Sequence, residues 1–524
     1  MQPVPKKTTV LVIGGGPAGS YASSLLAREG VDVTLLEAGK HPREHIGESM
    51  LPSMRNFLKL IDLEEKFSKF GFMDKPGAAY KMNPNDIECY TDFGVLGPGH
   101  STWNVIRAQS DELMFRHAAE MGAQTFEETR VESIMFENGG DPATARPVVA
   151  TWRSKGGQAG EISFDWLVDA SGRQGVMSTK YLKNRIFREG LRNIAVYGYW
   201  EGVSIYDKHG PRENAPWFEA LNDKSGWVWV IPLHNGTHSV GIVMHSATSN
   251  EKRRANPGSL EGHYFAQLKF VPGVQALLGD NAKFIVGSIR STSDFSYHAK
   301  GYSGNHFRLV GDAAAFIDPL FSSGCHASFS NSLSAVLTIL GSMKGQIVEE
   351  EAQSWHDAKV GLVQTRFLMI VLSAYKQMQI GDVDVHAHDL DAPSFRKVFD
   401  FFRPVYQGDP DAPPEVLTDN ELNEMINFTR SFFTPMTAQQ IATAREKVAN
   451  TNRPDAMSFA GPIMVTSELS HVLDHEDGDT LAVLKRINSL RLLQNETSPE
   501  AFMTDVLGGY RANVEKGKMG LARA

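Results

Sequence analysis

The spacing of apolar and polar residues along the first forty positions predicts a strand, a tight turn, a helix and a second strand. Residues 8–13 are apolar and β-branched, which is typical of a buried strand. Small residues fill 20–28, where a helix is expected, and 33–36 is again a short apolar run. Further buried strands are predicted at 164–168 and 307–310. Strands that alternate with helices in this way indicate an α/β fold with a parallel sheet.

The remaining pattern predicts a hairpin and a series of helices. Residues 227–231 are apolar on both strand faces, and Asn235-Gly236 is a two-residue turn signal that leads into 239–244. Helical spacing occurs at 55–70, 111–121 and 326–343. Beyond residue 345 it predicts helices at 352–379, 392–403, 417–433, 437–449 and 480–494.

Composition narrows the classes of function. The 524 residues are 42% hydrophobic and 22% charged, as in ordinary globular proteins. A formal net charge of −9 argues against nucleic-acid and anionic-membrane partners. Two cysteines exclude a disulfide framework and fit a reducing compartment. The longest uncharged apolar stretch, 367–375, is too short to span a bilayer, so we expect a cytoplasmic protein.

The turn after the first strand carries a dinucleotide fingerprint. Gly14, Gly16 and Gly19 have the G-x-G-x-x-G spacing between a strand and a helix. Such glycines let the backbone approach a pyrophosphate, which the amides of the helix N-terminus then bind. Glu37, which ends the second strand, is placed to bind ribose hydroxyls. An acid at this position favours FAD or NAD over NADP.

Three later elements favour FAD. The strand at 164–168 closes on Asp169-Ala-Ser-Gly-Arg173, and the strand at 307–310 closes on Gly311-Asp312. Arg107, four residues before Asp111, heads a predicted helix. These elements resemble those of the aromatic-hydroxylase class of flavoproteins, in which a Gly-Asp pair meets the flavin ribityl chain. Taken singly, Gly311-Asp312 is also compatible with a turn, and Arg107 with a surface ion pair.

Together with further motifs, the chain resembles the flavin-dependent halogenases, and within them the fungal branch that chlorinates phenolic polyketides. The resemblance covers residues 8–345 and weakens beyond them. Besides the glycine turn it rests on motifs at 45–52 (HIGESMLP), 71–77 (GFMDKPG), 227–232 (WVWVIP) and 316–324 (FIDPLFSSG).

The resemblance implies a fold of three parts. A module at 1–345 is expected to combine an FAD-binding Rossmann-like α/β domain of the aromatic-hydroxylase type with a β-sheet substrate domain. The FAD-binding segments are expected at 1–70, 100–185 and 290–345, and the sheet segments at 71–99 and 186–289. A helical region at 346–524 is expected to cover the substrate pocket.

The resemblance also implies roles for individual residues. Lys75 is the expected catalytic residue, and Ser323 and Gly324 are the expected chloride ligands. The expected wall between flavin and substrate comprises Trp227, Trp229, Ile231 and Pro232. Expected FAD contacts are Gly14, Gly15, Gly16, Ala18, Gly19, Glu37, Glu48, Arg107, Asp312 and Cys325. A separate flavin reductase would supply the reduced FAD, and chloride or possibly bromide would be the halide.

The residues themselves leave alternatives at two of these positions. Ser322-Ser323-Gly324 precedes a helix, so its amides suit an anion, but an ordinary serine-capped helix gives the same pattern. Lys75 lies beside Pro76 and would usually be solvated, and Lys81 is a nearby rival. Burial in an apolar channel would lower the pKa of Lys75 and leave a neutral amine that can bind hypohalous acid.

One departure from the wider family bears on the substrate. Tryptophan halogenases carry a glutamate two residues before the Ser-Gly pair, where this chain has Phe321. A phenol, free or on a carrier protein, is therefore the expected substrate. An aromatic hydroxylase and a non-catalytic flavoprotein-fold module remain the alternatives. Two groups of metal-type ligands are not assigned to a metal site. The acid-rich run with Asp382, Asp384, His386, His388 and Asp389 is typical of a solvated loop, and the pair His471 and His475 lacks the glutamate that a zinc protease needs.

Overall fold

The structure is a computed structural model, which describes two stretches of the chain. The first is 3–378, apart from 86, 97–99, 256 and 294. The second is 429–524, apart from 460–463, 465–467, 470, 473–476, 498–501 and 504. The helices expected at 392–403 and, for the most part, at 417–433 lie outside the described residues. So do Asp382, Asp384, His386, His388, Asp389 and His475.

The first sheet is mostly parallel and is built on the predicted strands. Its order is β19-β20-β10-β1-β2-β7, and β9 and β8 extend it from β10. β1, β2, β7, β10 and β20 run parallel to their neighbours among these five. The bounds are β1 Lys7–Ile13, β2 Val33–Leu36, β7 Gln124–Phe126, β8 Thr129–Phe136, β9 Pro147–Ser154, β10 Ala159–Asp169, β19 Ser303–Gly304 and β20 Phe307–Leu309.

Helices cover the first sheet and pack on one another. α1 (Pro17–Arg28) follows β1, and it packs against α4 (Arg107–Glu120) and α8 (Gly324–Met343). α8 in turn packs on α9 (Glu349–Met378). The amphipathic stretch predicted as one helix at 55–70 is two helices, α2 (Ser53–Leu60) and α3 (Glu64–Phe70), because Asp62 between them adopts a positive φ of 58°.

The second sheet is mostly antiparallel and carries the predicted hairpin. Its order is β16-β12-β15-β14-β13-β4-β5, with β17 paired to β12. β17 continues this sheet beyond residue 289, where the predicted sheet segment ends. The bounds are β4 Gly77–Lys81, β5 Cys89–Asp92, β12 Asn193–Glu201, β13 Trp217–Ala220, β14 Gly226–Pro232, β15 Thr237–His245, β16 Lys283–Phe284 and β17 Arg290–Ser293. Three helices flank it, α5 Ser246–Ala255, α6 Leu260–Leu268 and α7 Pro272–Leu278.

Two short sheets join the larger ones. β3 (Met73–Lys75) pairs with β6 (Thr102–Asn104), and β18 (Tyr297–Ala299) lies between β11 (Arg185–Phe187) and β21 (Ala315–Phe316). An apolar core that is continuous from the second sheet to α9 includes Trp227, Trp229 and Phe367.

The described C-terminal part is helical, as expected, but its end is not. α10 (Ala438–Ala449) and α11 (Gly478–Thr497) pack on each other near the edge strand β5. The last residues form a hairpin of β22 (Tyr510–Asn513) and β23 (Gly520–Arg523). This hairpin contacts α8, and the amide of Gly517 donates to Glu29 beyond α1 at 2.8 Å. It therefore lies against the helices that cover the first sheet.

Among the described residues, one helix, α9, is long and apolar enough to cross a membrane. Of its most apolar 18-residue window, 94% is buried inside the protein. Such burial is typical of the core helix of a folded domain.

Candidate active site

A cavity of about 420 Å³ connects the first sheet to the second. Its wall near the end of β1 includes Gly14, Gly16, Ala18, Glu37, Glu48 and Arg107. Its lining also includes Asp312, Gly324, Cys325, Trp227, Trp229 and Ile231. Most of the residues that were predicted to bind FAD or chloride, or to form the dividing wall, thus face one space, which we call the first cavity. Gly15, Gly19, Ser323, Pro232 and Lys75 do not line it.

The glycine turn has the geometry that close approach requires. Gly14 has a φ of 101°, and a Cβ there would lie 2.3 Å from the carbonyl oxygen of Ala170. A Cβ on Gly19 would lie 1.9 Å from the carbonyl oxygen of Gly14. Gly16 is different, since its Cβ would meet only Arg43 Nη2 at 3.3 Å. Gly14 and Gly19 therefore shape the turn, whereas Gly16 leaves space inside the first cavity.

Glu37 is fixed by backbone amides. Its two carboxylate oxygens accept hydrogen bonds from the amides of Gly15 and Gly39, each at 2.6 Å. Gly15 thus positions Glu37 rather than facing the cavity. Arg43 Nε lies 3.7 Å from Glu37 Oε1, and Arg43 also lines the cavity beside Gly16. An arginine here adds positive charge where the turn would hold a pyrophosphate.

Arg107 forms a buried ion pair, not a surface one. Its guanidinium donates to both carboxylate oxygens of Asp111 at 2.8 and 3.1 Å, and to the carbonyl oxygen of Ile46 at 2.8 Å. The helix begins at Arg107 itself, not at Asp111. The bidentate pair fixes the segment that carries Glu48 against α4.

The Ser-Ser-Gly turn differs in detail from the prediction. α8 begins at Gly324, two residues before the expected start, and Ser323 occupies the N-cap position. The Ser323 side chain, however, makes no capping hydrogen bond, because Ser323 has helical backbone angles and Ser322 takes the turn at a φ of 54°. The alternative of an ordinary serine-capped helix is therefore wrong. The first amides of α8 are left without a side-chain cap next to the first cavity, where an anion is favourable.

Two carboxyl groups in the first cavity are desolvated. Burial raises the pKa of Asp312 to about 6. Burial also raises the pKa of Glu48 to about 7, and Tyr199 Oη donates to Glu48 Oε1 at 2.9 Å.

Lys75 is buried instead of solvated, with 1% of its surface exposed. It ends β3, where it pairs with Thr102, and Nζ donates to the carbonyl oxygen of Met50 at 2.6 Å. The ring of Phe93 lies 5.0 Å from Nζ. Burial lowers the pKa of Lys75 from 10.5 to about 7. Lys81, the rival, is partly exposed at the end of β4.

Comparison with known proteins decides the family. The FAD binding domain family matches residues 7–359. A flavin-dependent halogenase of Armillaria mellea is 58% identical over 524 residues, which cover 99% of both chains. The chain belongs to the flavin-dependent halogenases. The sulochrin halogenase of Aspergillus terreus is 45% identical over 541 residues, with 99% of this halogenase and 94% of the relative covered.

Solved structures of other halogenases share the fold. The flavin-dependent halogenase CmlS superimposes with a TM-score of 0.65 at 25% identity, covering 85% of this halogenase and 79% of that chain. The myxobacterial chondrochloren halogenase also gives a TM-score of 0.65, at 24% identity, and covers 81% and 97% of the two chains. The predicted family and fold class are therefore confirmed.

The first cavity of the halogenase fits FAD. It combines the uncapped N-terminus of α1 at Gly16, the arginine Arg43 and the acids Glu37 and Asp312 along one continuous wall. These groups match a pyrophosphate, a ribose and a ribityl chain in turn. FAD is the cofactor of the halogenase. In the described residues, no group of three or more His, Cys, Asp and Glu side chains is arranged to hold a metal ion.

A polar network behind Trp227 was not predicted from the sequence. The indole Nε1 of Trp227 donates to Tyr375 Oη at 3.0 Å, and Tyr375 Oη donates to Asp318 Oδ2 at 3.0 Å. Asn193 Nδ2 donates to Tyr375 Oη at 2.7 Å and to Asp318 Oδ2 at 3.0 Å. Burial raises the pKa of Asp318 to about 6. Asp318 lies inside the FIDPLFSSG motif, which was the available signal, whereas Tyr375 and Asn193 gave none.

A second cavity, of about 600 Å³, is lined by Phe93, whose ring lies 5.0 Å from Lys75 Nζ. It is bounded by the edge strand β5 and by α10 and α11, and its walls include Pro52, Tyr90 and Phe93. Lys75 lines neither cavity. The residues at 48–52 run from the first cavity, at Glu48 and Ser49, to the second, at Pro52, and Lys75 is bonded to Met50 midway between them.

Proposed function

We propose that this halogenase chlorinates an electron-rich phenolic ring with hypochlorous acid that Lys75 directs. The observation that carries the proposal is the position of the Lys75 amine, which is buried and bonded to the chain segment that runs from the first cavity to the second. Because burial lowers the pKa of Lys75 to about 7, a neutral amine is available near neutral pH. A neutral amine can hold hypochlorous acid through a hydrogen bond.

On the flavin side, the protein would supply a halide site. Reduced FAD, provided by a separate flavin reductase, supplies the two electrons that activate oxygen for oxidation of chloride. The uncapped first turn of α8, at Ser323 and Gly324, adjoins the first cavity and favours an anion there. Chloride is the proposed halide substrate, and bromide is the alternative.

The tryptophans would separate this chemistry from the substrate. Trp227 is fully buried, and its ring centroid is 5.9 Å from that of Trp229, so the two indoles form one apolar wall. Trp229 is held by Ser239 Oγ, which accepts from its Nε1 at 3.1 Å. Such a wall keeps a ring substrate away from the flavin and disfavours its direct hydroxylation.

On the substrate side, the chlorination exchanges hydrogen for chlorine. Hypochlorous acid held by Lys75 delivers chlorine to a ring carbon, that carbon loses a proton, and water leaves. A phenol stabilises the cationic ring through its own oxygen. Phe321 fits this reading, because it is packed against Phe432 and Phe433 at centroid distances of 5.2 and 6.3 Å, with no carboxylate at its position.

The test is an assay with FAD, a flavin reductase and a resorcinol-type phenol in chloride, bromide or halide-free buffer. In chloride buffer we expect a product whose mass shows that chlorine has replaced one hydrogen. Without halide we expect no product. A hydroxylated product in halide-free buffer would instead establish an aromatic hydroxylase. A protein that takes up no FAD would indicate a non-catalytic module.

A further inference from the structure

The second cavity contains a buried arginine that no acidic side chain neutralises. Arg486, on α11, lines this cavity and is 7% exposed. Its Nη2 donates to Cys89 Sγ and to the carbonyl oxygen of Tyr90, both at 2.9 Å. Among the described residues no carboxylate pairs with it, and its buried Nε has no hydrogen-bond partner. A buried charge left in this state is costly unless an anion joins it.

A second unsatisfied polar group lies on the side of β5 that Arg486 contacts. Thr91 lines the second cavity, is 6% exposed, and its Oγ1 has no partner among the described residues. Cys89 and Thr91 are two residues apart on the strand and therefore point to one face. Arg486 contacts Cys89 on that face. Arg486 and Thr91 therefore lie on the same side of β5, at the wall of the second cavity.

The other charges around the second cavity do not neutralise Arg486. Glu88 is engaged by Arg212 Nη1 at 3.7 Å and by Tyr206 Oη at 3.2 Å. Asp92 is exposed and accepts from the amide of Gly94 at 2.8 Å. Arg445, on α10, adds a further positive charge at the rim.

The rest of the second cavity suits an aromatic ring. Its walls are apolar and aromatic near Phe93, Phe459, Ile487 and Leu490, and a volume of about 600 Å³ is that of a small-molecule site. Phe93 lies between this space and the Lys75 amine. A ring seated against Phe93 would place an acidic substituent toward Arg486.

We infer that the second cavity binds the aromatic substrate as an acid, with its carboxylate held by Arg486 and Thr91. The inference rests on the proposed function, since it names the class of phenol on which that function acts. Arg486 would act as a substrate-binding residue that sets specificity. Neutral phenols of the same size would bind more weakly, because they leave the guanidinium without a counter-ion.

Calorimetric titration of the FAD-loaded protein tests this without turnover. The probes are 2,4-dihydroxybenzoate, its methyl ester and its primary amide. We expect the acid to bind at least about tenfold more tightly than either neutral probe, as a charge-assisted hydrogen bond allows. Equal binding of the acid and the amide by the unaltered protein would overturn the inference and requires no variant.

Variants then assign the preference to the cavity. Arg486→Gln should reduce the preference for the acid about tenfold or more, and Thr91→Val should reduce it less. Arg453→Gln is the matched control, because Arg453 pairs with Asp455 in the same region and does not line the cavity. Unchanged preference in folded Arg486→Gln would refute the role of this residue.

The outcomes separate this inference from the proposed function. A preference for the acid in a protein that transfers no halogen would contradict the proposed function alone. Halide-dependent chlorination together with equal binding of the acid and its neutral analogues would contradict this inference alone. If Arg486→Gln loses FAD or unfolds, the comparison of the three probes on the unaltered protein still decides.

Discussion

Lys75 Nζ donates a 2.6 Å hydrogen bond to the backbone carbonyl of Met50. The amide of Met50 itself donates a hydrogen bond to the carbonyl oxygen of Trp103, and the carbonyl oxygen of the neighbouring Leu51 accepts one from Thr102 Oγ1. β3 and β6 therefore fix the amine against the segment that connects the two cavities. The position of Lys75 is set by strand pairing and not by a flexible loop.

Lys75→Met should stop halogenation and leave flavin chemistry intact. Methionine has a similar length and fills the buried site, but it cannot hold hypochlorous acid. We expect halogenated product to fall by about a hundredfold or more, as for loss of a positioned acid–base group. Oxidation of reduced FAD by oxygen should continue at an unchanged rate, measured by stopped-flow absorbance.

Lys81→Met is the matched control for this experiment. Lys81 ends the neighbouring strand β4 and is partly exposed, so its replacement should leave product formation unchanged. Normal chlorination by Lys75→Met would remove Lys75 from the mechanism.

The lowered pKa of Lys75 predicts a specific pH dependence of stability. The amine titrates at about 7 in the folded protein, against 10.5 for the unfolded reference. Between these values the unfolded chain binds a proton that the folded chain lacks, so the free energy of unfolding should rise with pH in this window. The gain is at most about 5 kcal/mol, and it is complete above the unfolded pKa.

The measurement is chemical denaturation of the unaltered protein and of Lys75→Met from pH 6 to pH 10. The difference between the two proteins isolates Lys75, because all other groups titrate in both. Lys75→Met should be the more stable protein at low pH, and the difference should shrink as pH rises. A difference that stays constant over this range is incompatible with a depressed pKa.

The elements predicted best from the sequence are those whose causes are local. Strand, turn and helix around Gly14 follow from apolar runs and glycine spacing, and the structure has them within a few residues. The burial of Lys75, in contrast, does not follow from the residues next to it in the chain. Its neighbours Asp74 and Pro76 suggest solvent, and only the pairing of β3 with β6, a partner about 27 residues away, covers the side chain.

Contacts between residues that are distant in the chain could not be predicted from the sequence for the same reason. Trp227 and Tyr375 are 148 positions apart, and Arg486 and Cys89 are 397 apart. Nothing in the local pattern around Tyr375 distinguishes a buried hydroxyl from a surface one. The alternative of a serine-capped helix is wrong although both Ser322 and Ser323 suit a cap by residue type, because the left-handed φ of Ser322 sets the geometry of the turn.

Gly16→Ala and Gly19→Ala should separate cofactor binding from folding. Gly16 has a φ of −76°, and its added Cβ meets only the end of the Arg43 side chain, so the apoprotein should keep its stability. The methyl group would nevertheless occupy the space for the pyrophosphate. We expect at least about tenfold weaker FAD binding, measured by quenching of flavin fluorescence.

Gly19→Ala should instead damage the fold itself. Its Cβ would lie 1.9 Å from the carbonyl oxygen of Gly14, so the turn between β1 and α1 must move. We expect the free energy of unfolding to fall by about 1–3 kcal/mol. If Gly16→Ala were the less stable apoprotein of the two, this assignment of the glycines would be wrong.

Tyr375→Phe should weaken the proposed wall between flavin and substrate. Loss of the hydroxyl leaves Trp227 Nε1 without its acceptor and removes one donor from Asp318. Each buried polar group left unpaired costs about 1–3 kcal/mol, so the variant should be less stable. With Trp227 no longer held, hypochlorous acid should escape from the first cavity, which lowers the ratio of halogenated product to reduced flavin consumed.

Tyr264→Phe provides the control, because it removes the same chemistry from the other face of the second sheet. Tyr264 Oη accepts from Trp200 Nε1 at 2.9 Å and donates to the carbonyl oxygen of Val240 at 3.0 Å. Neither Trp200 nor Tyr264 lines the first cavity. We expect a comparable loss of stability with an unchanged product ratio. Equal product ratios in both variants would show that the Tyr375 network only stabilises the fold and does not hold the wall.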